Sequence, residues 1–209
     1  MARYYLSVRY IRKSLDALAE QDPDVKRALG IIGYPEPRRR PEGFGTLLRV
    51  IVGQQVSIHA AAAIHERLEK ALKGDISADR LLRMREATLR KAGLSRPKIK
   101  YARCLARAIL SGELDIEKLG ALSDEEAMER IQTVPGLGQW SAQIYVMFSL
   151  GRPDIWPDGD VGAMRGLQRI KRLDQRPTPK EAAALVQSMA PHRTVVALLA
   201  WKCANSTAL

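Results

Sequence analysis

The sequence predicts an all-α fold. Apolar residues recur at helical spacing along most of the chain, and alternating strand patterns are nearly absent. Glycine and proline fall between the helical runs and divide the chain into about ten helices. The length of 209 residues suits a single folding unit over 1–209, because a chain of this size can bury a core of its own.

The first helical runs lie before residue 110. Two of them show apolar faces, formed by Ala61, Ile64, Leu68 and Leu72, and by Ile99, Ala102, Leu105 and Ile109. Proline-bearing connectors at 34–43 and 151–159 are candidate lobe boundaries. We interpret the arginine run 38–40 as a solvated turn, in preference to a phosphate-contacting patch.

A capped helix and a tight turn follow. Ser123 and Glu126 have the spacing of a capping box, which predicts a helix from Ser123 to Gln132. In the Val-Pro-Gly-Leu-Gly sequence at 134–138, proline ends that helix and the glycines permit backbone angles closed to other residues. A second helix starts near Gln139. The N–H groups and dipole at its start favour binding of a DNA phosphate, although a plain helix–helix turn would have the same sequence.

An acidic residue precedes the next helix. Val161, Met164 and Leu167 have helical spacing, and Asp160 lies just before them as the predicted N-cap. A carboxylate fixed there can stabilise positive charge that develops on a sugar, or orient an attacking water. Capping without catalysis is the alternative, and the segment alone favours it. The competing acid, Asp158, falls in the connector.

The chain is strongly basic. Its 34 Lys and Arg residues outnumber 23 Asp and Glu residues, giving a formal net charge of +11. Such an excess attracts polyanions, of which nucleic acid is the commonest, although ribosome-associated and membrane-surface proteins share the bias. The two cysteines are far apart and suggest neither a disulfide framework nor a multi-cysteine metal site. We expect a monomeric cytoplasmic protein, nucleoid-associated in a bacterium, without a membrane span.

Three segments in order carry a resemblance to a known family. They are VGQQVSIHAAAAI, IQTVPGLGQWSAQIYVMFSLGRPDIWPDGDVGAMRGL and PHRTVVALLAW. Together they resemble the helix-hairpin-helix (HhH-GPD) base-excision DNA glycosylase superfamily, and most of all its alkylpurine (3-methyladenine type II) branch in a short form. The resemblance implies a two-lobed helical fold with a cleft between the lobes. Lobe A covers about 43–152 with the hairpin at 133–139, and lobe B covers about 1–42 plus 153–209.

The resemblance also implies roles for individual residues. Asp160 aligns with the family's catalytic aspartate, and Gln55 with the residue that wedges into the gap left by the flipped nucleotide. Trp140 and Trp201 align with aromatic residues of the base pocket, although core packing is the alternative for both. The phosphate-binding hairpin corresponds to Pro135, Gly136, Leu137, Gly138 and Gln139. The main-chain carbonyls of Gln132, Val134 and Leu137 correspond to a site for a sodium or potassium ion.

Two departures from the family pattern refine this expectation. Strand-cleaving members carry a lysine two positions after the second hairpin glycine, where Trp140 stands here. Cluster-bearing members have four closely spaced C-terminal cysteines, whereas this chain has only Cys203 in that region. We therefore expect a monofunctional enzyme with water as the nucleophile and no iron–sulfur cluster.

The predicted function is excision of alkylated purines from damaged double-stranded DNA, by base flipping and hydrolysis of the N-glycosidic bond. Two alternatives stay open. One is a glycosylase of the same fold for another lesion, such as uracil or a mismatched base. The other is a non-catalytic helix-hairpin-helix DNA-binding module, which would not need Asp160.

Overall fold

The computed structural model describes residues 5–208, apart from the side chain of Ile58. Within this range the chain forms α-helices and one 3-10 helix and contains no strand, which confirms the predicted all-α class. The described residues divide into two compact units, one of residues 40–150 and one of residues 5–39 with 151–208. No helix in this range is long and apolar enough to cross a membrane.

The helices have the following bounds. They are α1 Val8–Gln21, α2 Pro23–Ile32, α3 Phe44–Gly53, α4 Ile58–Ala71, α5 Ala78–Arg83, α6 Glu86–Lys91, α7 Arg96–Leu110, α8 Asp124–Gln132, α9 Gln139–Phe148, α10 Val161–Lys171, α11 Pro179–Gln187 and α12 Arg193–Ala204, with the 3-10 helix at Ile116–Ala121.

Helix starts follow local sequence signals. The side chain of the residue before the helix accepts a backbone N–H at α1, α4, α5, α7 and α11, and that residue is serine or threonine each time. The predicted capping box of α8 is confirmed: Ser123 Oγ accepts the Glu126 N–H at 3.2 Å, and Glu126 Oε2 accepts the Ser123 N–H at 2.9 Å.

Helix α3 forms the centre of the 40–150 unit, where it packs against α4, α7 and α9. Its sequence FGTLLRVIVG is apolar on nearly every side, as expected for a helix surrounded by others. Leu47, Leu48 and Ile51 are fully buried. The predicted hairpin connects α8 to α9, and α9 begins at Gln139 as expected.

The other unit is organised around α10 and α12, which pack closely along their length. Gly166 permits this approach, because a Cβ atom there would lie 1.8 Å from the Ala200 carbonyl oxygen. Helices α1, α2 and α11 complete the unit. Arg27 donates to the carbonyls of Arg169 and Ile170 at 3.0 and 2.9 Å, so it satisfies acceptors at the end of α10.

Candidate active site

Asp160 is the N-cap of α10, as the sequence predicts, and Asp158 lies in the connector before it. Oδ1 of Asp160 accepts the backbone N–H of Ala163 at 2.7 Å. The tight turn before it closes through a hydrogen bond from the Asp160 N–H to the Pro157 carbonyl at 3.1 Å, with Gly159 in the left-handed region at φ 71°. Asp160 as a whole residue is half-buried.

Trp201 contacts the carboxylate from α12. Its indole Nε1–H donates to Oδ1 of Asp160 at 2.9 Å. Gly162 leaves room for the ring, since a Cβ atom there would lie 3.1 Å from Trp201 Cδ1. Two donors to one oxygen fix the orientation of the carboxylate. The family resemblance implies a base-pocket role for Trp201, which stays a prediction; the structure shows a buried indole that hydrogen-bonds directly to Asp160.

The connector that carries Asp160 is attached to the start of α12. Arg193 donates from Nε and Nη2 to the two carboxylate oxygens of Asp154, each at 2.8 Å, and its backbone N–H adds a bond of 3.1 Å. Burial alone would raise the pKa of Asp154, but the hydrogen bonds from Arg193 prevail and lower it. The Thr194 hydroxyl donates to the Arg152 carbonyl at 2.8 Å and accepts the Ile155 N–H at 2.9 Å.

Arg38 has a contact that the sequence did not indicate. Its Cζ lies 5.3 Å from the centroid of the Trp201 ring, a cation–π distance. Arg38 and Arg39 are exposed as whole residues, as a solvated turn requires. The guanidinium of Arg38 nevertheless loses solvation, which lowers its pKa, while the nearby charge of Asp160 acts in the opposite direction. For Arg38 the solvated-turn interpretation is therefore incomplete.

The hairpin belongs to the 40–150 unit. Gly136 is at φ 92°, and a Cβ atom there would lie 2.2 Å from Tyr101 Cγ, so only glycine fits beneath that ring. Leu137 is buried, whereas Pro135, Gly138 and Gln139 are exposed. Gly138 precedes α9 without a side-chain cap. This is the geometry of a helix start whose main chain can face an anion.

The two glutamines after α3 differ in their surroundings. The Nε2 group of Gln54 donates to the Gly136 carbonyl at 2.8 Å and to Ser141 Oγ at 3.1 Å, which attaches the loop to the hairpin. Gln55 is exposed and has φ 54°, an uncommon conformation for a residue with a side chain. Sequence reasoning singled out Gln55 and missed Gln54, because no local pattern marks its contact with the hairpin.

Trp140 and the three carbonyls predicted to bind a cation also lie in the 40–150 unit. Trp140 is half-buried in the first turn of α9, and its role in a base pocket stays a prediction. Of the three carbonyls assigned to a cation, that of Val134 accepts the Leu137 N–H at 3.0 Å. A carbonyl oxygen has a second lone pair, so this bond is compatible with cation binding.

Comparisons with known proteins place these features in context. A model described as HhH-GPD superfamily base excision DNA repair protein matches residues 48–192. DNA-3-methyladenine glycosylase 1 of Schizosaccharomyces pombe is 30% identical over 191 residues, covering 88% of this chain and 84% of that protein. DNA-3-methyladenine glycosylase of Saccharomyces cerevisiae is 32% identical over 150 residues, covering 68% of this chain and 50% of that protein.

Solved structures agree with the sequence matches. The Schizosaccharomyces pombe 3-methyladenine DNA glycosylase in complex with abasic DNA superposes with a TM-score of 0.86 at 30% identity, covering 91% of this chain and 95% of that one. The DNA-3-methyladenine glycosidase from Bacillus halodurans superposes with a TM-score of 0.78 at 32% identity, covering 99% and 93% of the two chains.

Proposed function

Because the chain belongs to the HhH-GPD superfamily of base excision DNA repair proteins, we propose that it is a monofunctional DNA glycosylase that excises alkylated purines from double-stranded DNA. The observation that carries the proposal is the Asp160 carboxylate, held at the start of α10 by the Ala163 N–H and the Trp201 indole. The chain is similar to a DNA-3-methyladenine glycosylase over 88% of its length, and this similarity supports the same substrate class.

Binding begins at the DNA backbone. The exposed main chain at Gly138 and Gln139 binds a phosphate, and the net charge of +11 strengthens the attraction to DNA. Main-chain contacts do not read base sequence, which suits an enzyme that must find lesions anywhere. A sodium or potassium ion held by the carbonyls of Gln132, Val134 and Leu137 would add positive charge at this phosphate.

The damaged nucleotide is then rotated out of the helix. Gln55 is exposed at the turn after α3, where its side chain can fill the gap that the nucleotide leaves. Unstacking costs a few kcal/mol, and less at a damaged pair. The extruded base stacks on the indole of Trp201, and a positively charged alkylpurine gains cation–π attraction there.

Asp160 supports the chemical step. As the bond between C1′ and the base nitrogen breaks, the base leaves with the electron pair and positive charge develops on the sugar. The carboxylate stabilises that charge. The oxygen of a water molecule bonds to C1′, and its proton passes to Asp160 and then to solvent. Since Trp140 stands where strand-cleaving members have lysine, no amine is available there to form a Schiff base.

The deciding experiment measures single-turnover base release from duplex DNA that contains 7-methylguanine or 3-methyladenine. Asp160→Asn should slow release about a hundredfold or more. Asp158→Asn, the same change two residues earlier, should leave release near wild type. No strand break should appear before alkali treatment.

The other outcomes identify the alternatives. Equal release by both variants would overturn the role of Asp160. Release of uracil or mismatched bases alone would mean another lesion class, and DNA binding without release of any base would mean a non-catalytic module. In a bacterial cell the enzyme would act in the cytoplasm, on the nucleoid.

A further inference from the structure

Arg38, Trp201 and Asp160 form one cluster in the unit of residues 5–39 and 151–208. The guanidinium lies over the indole ring at 5.3 Å, and the indole Nε1–H donates to the carboxylate at 2.9 Å. The proposed function uses the ring and the carboxylate and gives no role to the arginine. Arg38 occupies the kind of position that a positively charged base would take on an aromatic face.

The fold sets the position of Arg38. Pro35 is buried, and Lys202 donates from Nζ to the carbonyl of Tyr34 at 2.7 Å, so the segment before Arg38 is attached to α12. The prolines at 35 and 37 restrict the backbone on either side of Glu36. The arginine is therefore held near the ring rather than carried on a free loop.

A groove on the same unit has room for a ligand. Arg38 and Trp201 line it together with Glu36, Leu198, Lys202 and Asn205, and its volume is about 460 Å³. That volume lies within the range of small-molecule sites, about 300–1,000 Å³. A base that stacks on this side of the indole must share the groove with a guanidinium that is charged at neutral pH.

We propose that Arg38 determines the charge preference of the base site, by lowering the acceptance of positively charged bases relative to neutral modified purines. The proposal rests on the proposed function and refines its substrate class. A neutral base has to displace the guanidinium from the Trp201 ring and meets no electrostatic repulsion in addition. A cationic base also meets a like charge, because the anchored segment keeps Arg38 within about one Debye length even when its side chain turns away.

The test compares single-turnover release of a cationic base, 7-methylguanine, with that of a neutral one, 1,N6-ethenoadenine. Arg38→Gln removes the charge and keeps a planar amide, and should raise the ratio of the cationic to the neutral rate about five- to tenfold. Arg38→Lys keeps the charge and should leave the ratio near wild type. Arg39→Gln changes the net charge equally and should not alter the ratio.

An unchanged ratio in Arg38→Gln would overturn the proposal, as would an equal change in Arg39→Gln or Arg38→Lys. A second measurement needs no catalysis: in an Asp160→Asn background, binding of duplexes that contain 7-methylguanine, which is cationic, and 1,N6-ethenoadenine, which is neutral. Arg38→Gln should favour the 7-methylguanine duplex by a similar factor, and equal affinity changes would contradict the proposal. If the wild type releases no base, the proposed function fails, and this binding ratio alone decides the role of Arg38.

Discussion

Trp201 donates its indole N–H to Oδ1 of Asp160 at 2.9 Å, which joins the start of α10 to a residue 41 positions further along the chain. A hydrogen bond to a charged group contributes about 1.5–3 kcal/mol. Trp201→Phe keeps an aromatic face and removes the donor. We expect base release to slow about tenfold or more, with a smaller change in DNA affinity, in single-turnover and binding assays.

A matched control for this variant is Trp156→Phe. Trp156 is also buried, but its Nε1 has no hydrogen-bond partner among residues 5–208, so the loss of that N–H removes no bond seen there. Release by Trp156→Phe should stay near wild type. Equal slowing in both variants would mean that indole volume, rather than the bond to Asp160, supports the activity.

Substitution of Gln55 should affect activity and stability differently. Its left-handed backbone costs about 1–2 kcal/mol for a residue with a Cβ atom, and glycine has no such cost. Gln55→Gly should therefore leave the free energy of unfolding unchanged or raise it by up to about 1 kcal/mol, while base release falls. Urea denaturation and single-turnover release test the two parts. A stable variant with full activity would remove the wedge role.

Gln54 should behave in the opposite way. Gln54→Ala removes two hydrogen bonds to the hairpin and its helix, so we expect unfolding free energy to fall by about 1–2 kcal/mol. DNA affinity should fall with it, because the hairpin loses its attachment to the loop after α3. Urea denaturation together with affinity for undamaged DNA measures both effects, and normal values of both would contradict the attachment role.

Gly166→Ala should destabilise the unit built on α10 and α12. The added Cβ atom would lie 1.8 Å from the Ala200 carbonyl oxygen, so a helix must shift, and we expect a loss of about 3 kcal/mol in urea denaturation. Gly30→Ala is the control. Gly30 lies in α2, and among the described residues no heavy atom beyond its chain neighbours and the backbone of its own helix lies within 4 Å of the new Cβ. That variant should be neutral or slightly more stable.

The Asp154–Arg193 pair predicts a pH-dependent contribution to stability. Because the pKa of Asp154 is lowered in the folded chain, its stabilisation is present above the ordinary value of 3.8 and is lost as the pH falls through the folded value. Asp154→Asn should lower the unfolding free energy at pH 7 by about 1 kcal/mol, discounted because both side chains are partly exposed. The difference should disappear in acid, and a deficit that persists there would assign the effect to packing.

Local signals account for the parts that were correctly predicted. The capping box of Ser123 and Glu126 and the N-cap role of Asp160 involve residues three positions apart, so the sequence contains the whole interaction. The hairpin was predictable for the same reason, because its proline and glycines act on adjacent backbone angles.

Contacts between distant segments were not predictable in this way. Three contacts join residues more than forty positions apart, and no periodicity in the sequence marks such pairs. They are the cation–π contact of Arg38 with Trp201 and the hydrogen bonds of Trp201 to Asp160 and of Gln54 to Gly136. The family resemblance supplied Trp201 as a pocket residue but said nothing of Arg38. The packing of α12 against α10 brings Trp201 to Asp160, whereas the Gln54 contact depends on the packing of α3 against α9 in the other unit.

The unit that contains Asp160 is made from two stretches of chain, 5–39 and 151–208, with the whole of the other unit between them. During synthesis, α1 and α2 leave the ribosome long before α10 and α12, against which they also pack. Residues 40–150 are complete before α10 and α12 are made. We expect the continuous unit to fold on the growing chain first. Asp160 would then form its hydrogen bond to Trp201 last, so that an incomplete chain could bind DNA before it could excise a base.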